Sequence, residues 1–259
     1  MRALFASPLG FLIGLSLGAL GGGGSILAIP ALVYAAGQSP THASATSLIL
    51  VAITSLIGLL PHWQAGRVKA LPGLLFGLAG IGGAVVGSAW SKGVDPDLLM
   101  LLFAGVMVAA GVVMWKRSRP CPDCAPEVTR PLHADAPTVL KVLLAGSFVG
   151  LLTGFFGVGG GFVIVPMLVL ALGFSMPDAA GTSLIVIIIN SVVALGTRLQ
   201  AGNVEWKVVI PFVVASLAGV ISGSRLAGRR DSRQLQRWFV GLLAVVAVYT
   251  AVRSAVALA

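Results

Sequence analysis

The sequence contains few charged residues, and long stretches of it have none. Asp, Glu, Lys and Arg make up only 10% of its 259 residues, against about 25% in soluble domains. No charge occurs from Ala3 to Gly66, although a single membrane-spanning helix needs only about 20 apolar residues. With a mean hydropathy of +1.01, the composition argues against a soluble domain and predicts an all-α integral membrane protein.

Acidic residues are especially scarce, with only 8 in the chain. None falls at the centre of a predicted span, so we do not expect a proton relay through an intramembrane carboxylate. The net charge of +9 comes from short basic clusters between apolar segments, which is typical of membrane loops. Because these clusters form no patch interleaved with aromatic residues, nucleic acid is not expected as a partner.

Cysteine is almost absent, and Cys121 and Cys124 form the single C-x-x-C pattern. A structural zinc ion needs four ligands, and only His133 lies near enough in the sequence to add a third. We therefore predict no metal site and no cofactor. Reduced, non-essential thiols are favoured, and a redox pair is the alternative.

The chain does contain an internal repeat, visible when the sequence is shifted against itself by 136 residues. Gly14 and Gly18 then fall on Gly150 and Gly154, and Pro30 falls on Pro166. The alignment predicts a first transmembrane repeat at 1–115, a hydrophilic linker at 116–137 and a second transmembrane repeat at 138–259.

Each repeat is predicted to hold one glycine-broken segment and three spanning helices. The broken segments are expected at 7–36 and 138–172, and the other helices at 42–60, 71–90, 98–115, 178–197, 205–224 and 234–256. If the broken segments cross the bilayer, the repeats are parallel; if they are re-entrant, the repeats are inverted. Inversion places 12 of the 17 Lys and Arg on one side and the parallel arrangement places 11, so the positive-inside rule favours inversion.

The two runs of glycine are the candidate binding site. Unwound glycine exposes backbone N–H groups, and the helix that resumes after it adds the positive end of its dipole, a combination that binds anions. Glycine interruptions at matching places in two halves also mark transporter sites. The alternative is that these glycines only permit close helix packing. The expected binding residues are Gly22, Gly23, Gly24 and Ser25 in the first run and Gly159, Gly160 and Gly161 in the second.

Polar side chains inside the predicted spans are the remaining candidates. Thr46-Ser47 and Thr182-Ser183 occupy equivalent positions and could donate to an oxyanion, or could bond back to their own helices. Asn190 is either a binding residue or a clamp between helices. Three further residues near helix ends are candidate gates, namely Gln64, Gln200 and Arg198, of which Arg198 could instead reach the membrane surface.

Three motifs occur in both repeats and resemble the sulfite exporter TauE/SafE family. They are G-x-G-G-x-x-x-x-x-P (Gly21 to Pro30 and Gly157 to Pro166), A-x-x-T-S-L (Ala43 to Leu48 and Ala179 to Leu184) and Q-A-G (from Gln64 and from Gln200). The resemblance implies a multi-pass carrier in the bacterial inner membrane whose substrate is a small sulfur-containing anion such as sulfite or an organosulfonate. Its partners would be that anion and the lipid bilayer. The oligomeric state is left undetermined, and a homodimer is one alternative.

Export is the favoured direction because an anion that leaves a negative cytoplasm gains about 2.3 kcal/mol per charge across 100 mV. An importer of a related sulfur compound is the alternative within transport. A membrane-embedded enzyme or a structural subunit is the alternative from another class, and an enzyme would need a nucleophile–base pair or metal ligands in the spans. The sequence shows neither, so we predict a transporter and not an enzyme.

Overall fold

A computed structural model describes residues 2–24, 28, 32, 40–91, 96–117, 136–156, 161–198, 206–228 and 230–258. This part of the chain is helical and contains no strand, which confirms the all-α prediction. Its α-helices are α1 (Arg2–Leu20), α2 (Pro40–Gln64), α3 (Ala70–Ser91), α4 (Pro96–Arg117), α5 (Ala136–Phe156), α6 (Gly161–Leu172), α7 (Met176–Arg198), α8 (Trp206–Gly228) and α9 (Ser232–Leu258), and a 3₁₀ turn at Gly21–Gly24 follows α1.

Five of these helices, α2, α3, α5, α7 and α8, are long and apolar enough to cross a membrane. Shorter apolar stretches lie within α1, α4 and α6. Helix α5 has 21 residues and so extends over about 31 Å, the thickness of the hydrocarbon core. The chain is therefore a multi-pass membrane protein. The side of the membrane that each end faces and the inversion of the repeats stay predictions, as do the repeat and linker limits.

The end of α2 differs from the prediction, which ended this helix at residue 60. The helix continues to Gln64 and ends in a Schellman cap, because Gly66 adopts a φ of +68°. The Gly66 N–H donates to the carbonyl of Trp63 and the Arg67 N–H donates to that of His62, both at 3.0 Å. The glycine of the first Q-A-G motif is thus a helix cap.

The helices pair between the predicted repeats. Helix α1 packs along α8, α5 packs along α3, α2 packs along α7, and α4 packs along α9. Exchange of the two repeats turns the α1–α8 pair into the α5–α3 pair and leaves the other two pairs unchanged. This set of four helix pairs is thus the same under this exchange.

Glycines bring the two most extensive pairs into backbone contact. A methyl group on Gly14 would overlap the backbone of Ser216, and one on Gly150 would overlap the backbone of Gly80. These contacts are equivalent under the 136-residue shift. The same correspondence holds one turn further on, where Gly18 contacts Val220 and Gly154 contacts Ala84. Spaced glycines in α1 and α5 thus serve helix packing, as small residues do in membrane helix interfaces.

Candidate functional site

The first glycine run follows the end of the α-helix at Leu20 and forms a 3₁₀ turn over Gly21–Gly24, which is more tightly coiled than the unwound backbone expected from the sequence. Gly21 adopts a φ of +67°, a conformation that residues with a Cβ rarely take. This glycine lets the chain leave the axis of α1, and the turn then retains local hydrogen bonding that an unwound strand in hydrocarbon would lack.

The two glycine runs meet in space. A methyl group on Gly22 would overlap the carbonyl and Cα of Gly161, the first residue of α6. Gly22 is also held by α7, because its backbone N–H donates to the Oγ of Ser183 at 3.3 Å. The Ser183 hydroxyl in turn donates to the carbonyl of Ala180 at 2.8 Å. The structure thus brings together three predicted site residues, one from each of three elements.

Thr182, the neighbour of Ser183, ties this contact to the loop after α2. Its Oγ1 accepts a hydrogen bond from the backbone N–H of Lys69 at 3.1 Å. The carbonyl of Arg67 lies 2.8 Å from where a Cβ on Gly181 would be. The Arg67 guanidinium lies within 4.0 Å of where a Cβ on Gly228 would be. Gly228 is the last residue of α8, and the dipole at this end of the helix favours a cation. Two basic residues therefore follow α2 where its loop crosses the start of α7.

The hydroxyl pair of the first repeat is buried like its counterpart. Thr46 and Ser47 are both buried in α2, and Thr46 Oγ1 has no hydrogen-bond partner within the described structure. The repeat equivalent of the Ser183–Gly22 bond would join Ser47 to Val158, which lies outside the described residues.

Asn190 lies apart from the glycine contact. It is seven residues after Ser183 in α7, about 10 Å along the helix. Its Oδ1 is 3.7 Å from where a Cβ on Gly80 would be, at the place where α3 meets Gly150 of α5. The structure therefore places Asn190 against the α3–α5 pair.

The candidate gates are only partly described. Gln64 is exposed at the C-terminal end of α2, and Arg198 is the last residue of α7. Gln200, Ser25, Gly159 and Gly160 lie outside the described residues, as do Cys121, Cys124 and His133. Gly23 and Gly24 form the second half of the 3₁₀ turn.

Among the buried polar residues that the sequence prediction missed, three have a polar atom without a hydrogen-bond partner in the described structure. Ser55 and Ser191 are fully buried in α2 and α7 at equivalent positions. Their hydroxyls have no hydrogen-bond partner in the described part of the chain, whereas the neighbouring Thr54 bonds back to Leu50 at 2.6 Å. The third is His62, which lies in the last turn of α2 and is only 1% exposed. The repeated serines could have been found from the 136-residue shift, but His62 could not, because its equivalent is Arg198.

Metal binding finds no support in the described residues, where no group of three His, Cys, Asp or Glu side chains comes together. The polar groups at the glycine contact are backbone amides, backbone carbonyls and hydroxyls. These groups can bind a small polar solute by hydrogen bonds.

Comparison with known proteins agrees with the motifs. A family model described as sulfite exporter TauE/SafE matches residues 6–250. A probable membrane transporter protein of Xylella fastidiosa (strain Temecula1) is 34% identical over 252 residues, which cover 95% of this chain and 93% of the relative. The probable membrane transporter protein YdhB of Bacillus subtilis (strain 168) is 28% identical over 218 residues, 83% of this chain and 86% of the relative. No solved structure gives a significant match.

The names of these relatives describe membrane transporters and not enzymes, in agreement with the sequence prediction. The family match extends over nearly the whole chain and includes both glycine runs. The chain belongs to the sulfite exporter TauE/SafE family of membrane transporters.

Proposed function

We propose that this protein is a secondary carrier that exports a small sulfur-containing anion, sulfite or an organosulfonate, across the inner membrane of a bacterium. The contact of Gly22, Gly161 and Ser183 supports this proposal most directly. It joins both glycine runs and one hydroxyl of the A-x-x-T-S-L motif at a single place. The family description supplies the sulfur anion.

The hydrogen bond at this contact can be exchanged for one to a substrate. The Gly22 N–H donates to Ser183 at 3.3 Å, slightly longer than the usual range of about 2.7–3.2 Å. An oxyanion would form a shorter, charge-assisted bond to the same N–H and would also face the N-terminus of α6, which begins at Gly161. Binding would then separate Gly22 from Ser183, and this separation would open the contact.

Charge near the site also favours an anion. The loop that carries Arg67 and Lys69 is bonded to Thr182 at the start of α7. The positive charges of these two residues would raise the local concentration of an anion near the start of α7. Because the membrane potential drives an anion out of the cell by about 2.3 kcal/mol per charge at 100 mV, export needs no coupling ion.

The test is efflux of sulfite from proteoliposomes under an imposed inside-negative potential. We expect wild-type protein to accelerate efflux and Ser183→Ala to slow it about fivefold, because the Ser183 hydroxyl released from Gly22 would turn to donate to the bound anion, and loss of one such hydrogen bond costs about 1 kcal/mol. Gly22→Ala should abolish efflux, since its methyl group would displace the Gly161 backbone.

Gly82→Ala is the matched control, because Gly82 has no atom within 4 Å of its would-be Cβ in the described structure. It should transport like wild type. Equal flux in Gly22→Ala and Gly82→Ala would contradict the proposed site. A strict requirement for an inward proton or sodium gradient would instead support the importer.

A further inference from the structure

His62 is a buried histidine with one ring nitrogen that is hydrogen-bonded and one that has no partner in the part of the chain that the structure describes. Its Nε2 lies 3.0 Å from the carbonyl oxygen of Gly18 in α1. A carbonyl can only accept, so Nε2 carries the hydrogen and donates it. In the neutral imidazole, Nδ1 is then a bare acceptor, and it has no hydrogen-bond partner among the described residues.

His62 lies beside the glycine contact on both of its sides. Gly18 is four residues before Gly22, about 6 Å along the chain. Across the contact, the His62 Cβ is 3.2 Å from where a Cβ on Gly181 would be, and Gly181 is two residues before Ser183. The ring of His62 therefore contacts the end of α1 through Nε2, and its Cβ lies beside the start of α7; these two elements hold Gly22. A ligand of a few atoms at Gly22 could reach Nδ1.

A buried acceptor without a donor costs free energy that a ligand can recover by supplying one. A fully deprotonated oxyanion has only acceptors and would be opposed by the Nδ1 lone pair. An anion that also carries an O–H or N–H group would satisfy this nitrogen. We propose that His62 Nδ1 is a specificity-determining position that selects sulfur oxyanions bearing a hydrogen-bond donor. This inference rests on the proposed function and narrows its substrate class.

The charge state of His62 is part of the proposal. A buried charge is costly unless it is paired, and the charged group that acts on His62 is the like-charged Arg67. A neutral ring accepts from a ligand donor, whereas a charged ring would donate to any oxyanion. The two states therefore predict different ligand preferences.

The test compares 2-hydroxyethanesulfonate with ethanesulfonate, which differ by one hydroxyl group. Binding to detergent-purified full-length protein is measured by calorimetry at one fixed pH. We expect wild type to bind the hydroxylated sulfonate about tenfold more tightly, the effect of one added hydrogen bond in a buried site.

Two variants test the two ring nitrogens of His62 separately: Nε2, which bonds to Gly18, and Nδ1, which we propose selects the ligand. His62→Gln places an amide N–H near the position of Nε2, so it keeps the bond to Gly18 and removes the Nδ1 acceptor. It should melt like wild type and bind both sulfonates equally. His62→Asn instead reaches only the Nδ1 position, so it should melt at a lower temperature and keep part of the preference. Trp63→Phe, at an exposed neighbour, should change neither property.

The outcomes distinguish this inference from the proposed function. A tenfold preference that persists in His62→Gln would overturn the role of Nδ1, as would equal binding of both sulfonates by wild type. If His62→Gln loses both ligands alike, the ring acts as a cation and the donor requirement is wrong. If wild type binds neither sulfonate nor sulfite, the proposed function itself fails.

Discussion

Gly150→Ala tests whether close backbone contact between α5 and α3 stabilises the packing of the two repeats. The added methyl group would overlap the carbonyl and Cα of Gly80, which are backbone atoms of α3 and cannot rotate away. Such overpacking costs about 1–3 kcal/mol or more, against a gain of up to about 1 kcal/mol in helix propensity. We expect a net loss of about 2 kcal/mol. At about 2–4 °C per kcal/mol for a chain of this size, Tm falls by about 4–8 °C.

Thermal unfolding of detergent-purified protein, followed by tryptophan fluorescence, measures this shift. Gly14→Ala should lower Tm by a similar amount, because it creates the equivalent overlap with Ser216 in the α1–α8 pair. Gly82→Ala serves as the control within α3 and should leave Tm unchanged or raise it slightly. The reasoning would be refuted if Gly150→Ala melted at the same temperature as Gly82→Ala.

Three further substitutions test single contacts by the same melting assay. Thr182→Val removes the acceptor of the Lys69 N–H and should lower stability by about 1 kcal/mol, and an unchanged Tm would show that this bond is not needed. Ser55→Ala deletes a buried hydroxyl that has no partner in the described structure, so Tm should rise by a few degrees; a fall would mean that the hydroxyl is satisfied. Gln236→Ala removes the amide that donates to the Met114 carbonyl at 3.0 Å. It should weaken the contact between α4 and α9 and lower Tm by about 2–4 °C. Gln236→Glu should not restore Tm, because a carboxylate cannot donate a hydrogen bond.

Much of the helical framework could be predicted because hydrophobic length is a strong signal. The span expected at 71–90 corresponds to α3 at Ala70–Ser91, and that expected at 178–197 corresponds to α7 at Met176–Arg198. Helix ends were harder, since they depend on caps. The helix expected at 42–60 continues through Pro61, whose fixed φ is compatible with a helix, and it ends at the positive φ of Gly66.

The candidate site was predictable only where it repeats. Gly22, Gly161 and Ser183 stood out because their motifs occur twice, and the structure brings them together. Asn190 stood out by polarity alone, and it faces Gly80 rather than the glycine contact. His62 could not be placed from the sequence, because its burial depends on α1 and α7 packing over the end of α2, a tertiary effect without a local pattern.

The pairing of α1 with α8 has a consequence for biogenesis. Helix α1 ends at Leu20 and its partner begins at Trp206, so most of the protein must be synthesised between them. At about 5–20 residues per second, α1 waits roughly 10–40 s in the bilayer with its glycine face against lipid. The α3–α5 pair is complete once residue 156 has emerged, so it can assemble first. Nascent chains arrested before α8 should therefore already contain a docked α5 while α1 is still free, and they would be a natural target for membrane quality-control proteases.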